Sequence, residues 1–502
     1  MKSTLKHNLK KLLLSLSGSE RKHFKNKYNA QGANKDYMNL FDLMFESGKS
    51  ANPDDIELLF KLKYPEKSFD NTASYLYKVL TDMLVQMRID HDDWFYSQHC
   101  LMKAKLCFER EIPERGLAEL DKIKILAKDR ADHLMYYAAT RMELSHISEN
   151  GFPDTTEQEL VSMQMRMKQN LQNLRQTHEH YSLFELLNYR MLTQSNHSGD
   201  QQDKKLNDLL LSELGIITRG NKQSFESKKL HLLFQAFFLS RTGDYNSALK
   251  IFKSLNLLFE QHTQLWSCPP YDYLAALDGI LDSLRSIRLY AEMAFFIDKI
   301  QVLSNSSYSD HFTQTCRQTF LIYTLNSALG NSDYDQALAV IKTNKSYLPK
   351  VKQMVHGHKQ LELIFFIAVS YFRNKDLQSA SKYISIGLSQ DKQGSTQIIY
   401  RVSRLFRMLI HFEMGNIDYL EYEMRTFKRL FTKTEKFFQL ERLLFHIFSN
   451  THKPYSSIKN RSIWKKYQEL RSKFAENPPE QELLKYFDFL SWSDAITKSQ
   501  KK

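Results

Sequence analysis

The stretch 241-RTGDYNSALKIFKSL-255 sets a Gly-Asp turn directly before an amphipathic run. Tyr245, Ala248 and Phe252 follow at steps of three and four, the spacing of one helix face. The same outline returns downstream: a short turn, an aromatic or apolar residue, a small residue, then an apolar residue. Tyr334, Ala337 and Ile341 match it, as do Leu377, Ala380 and Ile384. Tyr290, Met293 and Ile297 fit with a larger middle residue, and Ile417, Leu420 and Met424 fit more loosely. Upstream, Pro113, Gly116 and Leu120 offer the same pattern, with proline at a first helical position.

The anchors at 245, 290, 334, 377 and 417 stand 40 to 45 residues apart. The interval from 113 to 245 is three such steps, so two further turns are expected near 157 and 201. At the second, Lys204 and Asp208 do not fit the apolar template, and that beat is degenerate. A second helical run lies between successive turns, for example 224-SFESKKLHLLFQAFFLSR-241 and 400-YRVSRLFRMLIHFEM-414. The unit is therefore a helix, a tight turn, a second helix and a looser connection. One such pair buries too little apolar surface to stand alone, so neighbours must stack.

Composition agrees with an all-α chain. Of 502 residues only 15 are Gly and 10 Pro, too few turn formers for a β-rich protein, while 13% aromatic residues argue for packed cores. Four cysteines are too few for a disulfide framework, and a reducing compartment follows. No run of 18 apolar residues predicts a membrane span, and lysines inside the periodic pattern of residues 1–16 mark an amphipathic helix, not a secretory leader. A soluble cytoplasmic protein is expected. The formal net charge of +13 is concentrated toward both ends.

The residues Gly243-Asp244-Tyr245, Ala248 and Phe252 resemble the turn and second helix of a tetratricopeptide repeat, although the pitch here is longer and that family's first-helix pattern is not kept. The resemblance implies a right-handed, tetratricopeptide-like α-solenoid of antiparallel helix pairs with a binding groove lined by the first helices. Three parts are expected: a basic helical N-terminal region, 1–90; the repeat array, 91–451; and C-terminal capping helices with a basic tail, 452–502. The N-terminal region, through "SLSGSERKHFK" and "ASYLYKVL", is also similar to a group of uncharacterised bacterial proteins. Ser19 and Asp54 are expected helix caps there, and 89-IDHDDWFY-96 a capping turn.

Chemistry-bearing motifs are few. There is no phosphate-binding glycine loop, no dinucleotide fingerprint and no CxxC pair. "HEH" at 178–180 and "HGH" at 356–358 place histidines two apart, on opposite sides of a helix, so neither makes a single-face metal site. No catalytic residue, metal or cofactor is assigned. Two surfaces remain. Arg401, Arg404, Arg407 and His411 form an inclined cationic stripe on a first helix, which Lys228, Lys229 and Arg317 extend; such a stripe suits an acidic peptide or protein partner. Residues 53–60 and 68–84 have the outline of a helix-turn-helix, with Asn71, Thr72, Ser74 and Lys78 as its exposed readers of nucleic acid. The expected function is thus a non-catalytic peptide- or protein-binding scaffold; the alternative is a nucleic-acid-linked regulator. If Ala248 packs in the seam between pairs, Ala248→Leu costs about 1–3 kcal/mol by overpacking, which denaturant unfolding measures.

Overall fold

At the opening corner, Gly243 adopts a left-handed conformation (φ 84°) that a side chain would strain. The Asp244 N–H reaches back to the Leu239 carbonyl at 3.0 Å, closing the first helix in a Schellman turn. The Asp244 carboxylate then accepts the Ser247 N–H at 3.0 Å and caps the second helix. This corner recurs. Ser332 and Lys375 are likewise left-handed, and Asp333 and Asp376 repeat both the back-bond and the cap. Gly415–Asn416 repeats the back-bond. Local chemistry therefore sets each corner, and the corners set the period.

The computed structural model describes residues 2–29, 36–48, 51–153, 155–193, 200–219, 224–306, 308–345, 347, 357–390, 398–431, 438–450 and 478–499. Among them the chain is all-helical, with no strand. Its helices fall into two compact units, residues 1–171 and 172–502.

The first unit holds α1 (Lys2–Ser15), α2 (Gly18–Asn29), α3 (Asp36–Glu46), α4 (Pro53–Lys63) and α5 (Phe69–Arg88) around one core that includes Leu13, Phe24, Phe41, Phe60 and Leu80. Next come α6 (Asp93–Glu109), α7 (Pro113–Asp129) and α8 (His133–Glu149), packed around Cys100, Leu120, Ile123 and Ala139. Two caps differ from expectation. Ser17, not Ser19, caps α2, because Ser17 and Glu20 close a reciprocal capping box. Asn52, not Asp54, caps α4, with Pro53 in the first turn. Asp92 caps α6, as the acidic turn implied.

The helix α9 (Glu157–Thr193) begins in the first unit and ends in the second. The second unit continues with α10 (Asp200–Arg219), α11 (Phe225–Thr242), α12 (Tyr245–Gln261), α13 (Tyr271–Ser286), α14 (Met293–Ser304), α15 (Asp310–Gly330) and α16 (Tyr334–Thr343). It then runs through α17 (Gly357–Arg373), α18 (Leu377–Gln390), α19 (Ile398–Glu413), α20 (Ile417–Phe431), α21 (Gln439–Asn450), α22 (Pro478–Leu484) and α23 (Phe489–Ser499). Anchors 113, 245, 334, 377 and 417 are first residues of helices, and α9 and α10 start where the two missing beats fall. Helices pack in neighbouring pairs, and each first helix from α11 to α19 also packs on the first helix of the next pair.

Small residues make these seams. Ala248, Ala337 and Ala380 are fully buried. Gly279 on α13 lies against the Phe252 ring of α12, and Gly330 on α15 against the Tyr290 ring; a Cβ at either would enter the ring's space. Gly279→Ala is therefore expected to lose about 1–3 kcal/mol by overpacking, less the ~1 kcal/mol that alanine returns in a helix. Gly215→Ala on α10, where a Cβ meets nothing within 4 Å, is expected to gain about 0.5–1 kcal/mol. Opposite shifts of the denaturation midpoint check the pair.

Candidate functional site

On α13, Asp278, Asp282 and Arg285 recur at steps of four and three and share a face. That face meets α15 and α17. Arg285 is 2% exposed, so its charge must be neutralised inside the protein. Its guanidinium donates to Glu362 of α17 at 2.6 Å and to Asp282 one turn away. Lys359, one turn before Glu362, pairs with Asp278 at 2.5 Å, and the Tyr323 hydroxyl of α15 donates to the same carboxylate at 2.8 Å. Three successive first helices are thereby joined by ionic and hydrogen bonds.

A fourth element completes the cluster. Residues 480–492, within the expected C-terminal capping region, lie along the side chains of the first helices. Lys485 pairs with Asp282 at 3.3 Å, and the Tyr486 ring lies 4.9 Å from the Arg285 guanidinium and 6.3 Å from the ring of Phe365. Phe487 enters between Phe372 and Phe406, with the Arg373 guanidinium 5.0 Å from its ring. The Trp492 indole N–H donates to Glu413 at 2.7 Å and its ring rests on Phe412 and Phe448. At the rim Glu482 meets Arg241 at 3.5 Å and Asp488 meets Arg288 at 3.3 Å. Glu480 accepts the backbone N–H groups of Gln439 and Leu440, capping α21. The segment thus touches α11, α13, α17, α19 and α21.

The electrostatics of this cluster are mutual. Burial opposes ionisation of Asp282, yet Lys485, Arg285 and Lys359 together hold its carboxyl far below the usual carboxylate range. Burial likewise disfavours charge on Lys485, and Asp282 more than offsets it, raising the ammonium pKa. Three cations, Arg285, Lys359 and Lys485, face three carboxylates, Asp278, Asp282 and Glu362. Lys485 comes from the segment, so the cluster on α13 and α17 without it holds three carboxylates against two cations.

The arginine stripe is corrected by the structure: it is not an open cationic surface. Arg401 is 1% exposed and makes a bidentate bond to Glu441 of α21, both contacts at 2.9 Å. Arg404 and Arg407 share Glu423 of α20 at 3.0 and 2.6 Å. His411 stacks near Tyr419, 4.0 Å between centroids, and burial beside Arg407 lowers its pKa. The acids that neutralise the stripe sit 16 to 40 residues away, on helices whose packing the local spacing does not reveal. Lys229 is similarly buried against Asp272, whereas Lys228 is exposed; Arg317 covers the Tyr347 ring.

On α5, Asn71, Ser74 and Lys78 are exposed and Thr72 is half-buried. Exposed Tyr75 and Tyr77 stand beside them, and Asp70 and Asp82 share the helix. His178 is exposed while His180 is buried near His231, so these two point apart. His356 lies outside the described residues. Among the described residues no helix is long and apolar enough to cross a membrane.

The 480–492 segment was the site that sequence reasoning missed. Its signal is present in 481-QELLKYFDFLSW-492: Glu482, Lys485 and Asp488 alternate in sign at steps of three around an aromatic pair. No protein-family model, curated protein or solved structure matches the chain.

Removing the carboxylate of the buried pair leaves the Arg401 charge buried without its counter-ion. Glu441→Gln is expected to cost about 3–5 kcal/mol, and the double change Arg401→Met with Glu441→Leu to recover most of it. Urea denaturation of the three chains provides the check.

Proposed function

We propose that the protein is a non-catalytic scaffold, a right-handed tetratricopeptide-like α-solenoid that binds a peptide or protein segment along its first-helix face. The observation that carries this reading is the manner in which that face holds residues 480–492. Side chains from five helices take up a short segment by alternating charge, two aromatic anchors and an indole hydrogen bond. Fully desolvated aromatic anchors ringed by polar pairs are the usual basis of peptide recognition. A cytoplasmic setting fits a chain in which Cys100, Cys107 and Cys316 form no disulfide.

A second reading rests on Asn71, Ser74 and Lys78, whose exposure on α5 suits nucleic-acid contact by the N-terminal helices. Phosphate contacts release counterions, so this reading requires a salt-dependent electrophoretic shift with mixed DNA and RNA. Absence of a shift at low salt removes it.

The scaffold reading is tested by reversing the rim while keeping its internal pairing. A full chain carrying Arg241→Glu, Arg288→Glu, Glu482→Arg and Asp488→Arg retains opposite charges across each pair. Its melt is expected to match the native chain, while recovery of the native chain's partner from its own host falls about tenfold or more, because like charges then face each other. Quantitative mass spectrometry of the captured partner reads the result; equal recovery counts against this face.

A further inference from the structure

We infer that residues 480–492 are an internal ligand of the first-helix face, and that a partner segment of the same chemistry displaces them. The inference rests on the scaffold reading and names the partner class that reading leaves open. Its first support is register. Glu482, Lys485 and Asp488 alternate in sign, and they meet Arg241, Asp282 and Arg288, which alternate in the opposite sense. A one-residue slip would break all three pairs together.

The second support is the charge left behind. With Lys485 withdrawn, Asp278, Asp282 and Glu362 outnumber Arg285 and Lys359, inside a cluster where Arg285 is sealed from water. An uncompensated buried charge is costly, so a competitor must bring a cation to the same place. The third support is shape. Phe487 is buried against the rings of Phe372 and Phe406, and Trp492 against those of Phe412 and Phe448, so two aromatic pairs each seat one anchor.

The rim is weakly held by comparison. Arg288 is 61% exposed in its side chain and its contact with Asp488 is 3.3 Å; exposed pairs of this kind contribute about 0–1 kcal/mol. The segment is therefore anchored by Lys485, Phe487 and Trp492, and its two rim pairs are the looser fastenings at which exchange begins. The displacing segment has the form acid, two residues, Lys or Arg, aromatic pair, acid, three residues, Trp, as in 482-ELLKYFDFLSW-492. A protein presenting this amphipathic pattern is the partner class the face selects, and the chain's own segment sets the threshold a partner must exceed.

The test uses the full chain with a protease site placed at residue 460, cut after folding. A fluorescent synthetic peptide of residues 478–499 is added, and anisotropy with gel filtration follows exchange. The labelled peptide is expected to replace the cut segment. A peptide with Glu482→Lys, Lys485→Glu and Asp488→Lys is expected to exchange about tenfold or more weakly, since like charges would then face each other. A Phe487→Ala/Trp492→Ala peptide is expected to lose comparable affinity. Failure of the labelled peptide to exchange into a cut chain that still melts cooperatively overturns the inference. So does loss of the cooperative melt whenever the cut segment leaves, or equal exchange by the charge-reversed peptide. A dimer of uncut chains with swapped segments also overturns it, by making a second copy the occupant. These failures leave the scaffold reading intact, because the capture experiment uses an uncut chain and scores a different molecule.

Discussion

A guanidinium sealed from water has to be neutralised where it stands, and Arg285 imposes that requirement on most of the second unit. Its partners come from far along the chain: Glu362 lies 77 residues on, and Lys485 joins through Asp282. Tyr323 supplies the ring and hydroxyl between them. For all these groups to meet, α13, α15, α17 and the 480–492 segment must hold their positions together. Pairs buried in this way contribute less to net stability than to fixing one arrangement among several apolar alternatives, a role best attested where polar groups set register. Three contacts of the segment alternating in sign, two at the rim and one at the centre, serve the same end here.

Other polar contacts follow the repeat itself. Lys229 meets Asp272 across 43 residues, Lys253 meets Glu292 across 39, and Arg401 meets Glu441 across 40. The Tyr323 hydroxyl reaches Asp278 across 45. Each separation is close to one period, so equivalent positions on successive pairs face one another. The corners enforce this. A left-handed residue and a capping acid stop one helix and start the next at a fixed offset, and small residues at Ala248, Gly279 and Ala380 let the helices close together. The period is a local property multiplied by stacking.

The fold was legible in the sequence to the extent that it is made of such corners. Even the degenerate beat near 201, where Lys204 and Asp208 break the apolar template, marks the start of α10 at Asp200. The caps were misplaced by two residues where several capping residue types crowd one turn, as in Ser17, Ser19 and Glu20; only the reciprocal bonds decide between them. The candidate site was less legible. The spacing of Arg401, Arg404 and Arg407 correctly puts them on one helix face, but the same spacing describes a solvated stripe and a buried ladder equally well. Glu423 and Glu441 make it the second. Residues Glu482, Lys485 and Asp488 show a regular alternation whose meaning appears only beside Arg241, Asp282 and Arg288.

By itself the sequence determined that the chain is helical, where most of its corners fall and the interval between the corners at 245, 334, 377 and 417. These depend on interactions within a few residues: caps, left-handed turn positions and the 3.6-residue period. Only the tertiary structure decided which charges are exposed and which are neutralised, and which surface holds a segment. Those outcomes depend on residues 16 to 241 positions apart in the chain, such as Arg407 with Glu423 and Arg241 with Glu482. A charge is a site or a strut according to what packing brings against it, and local spacing carries no record of that partner.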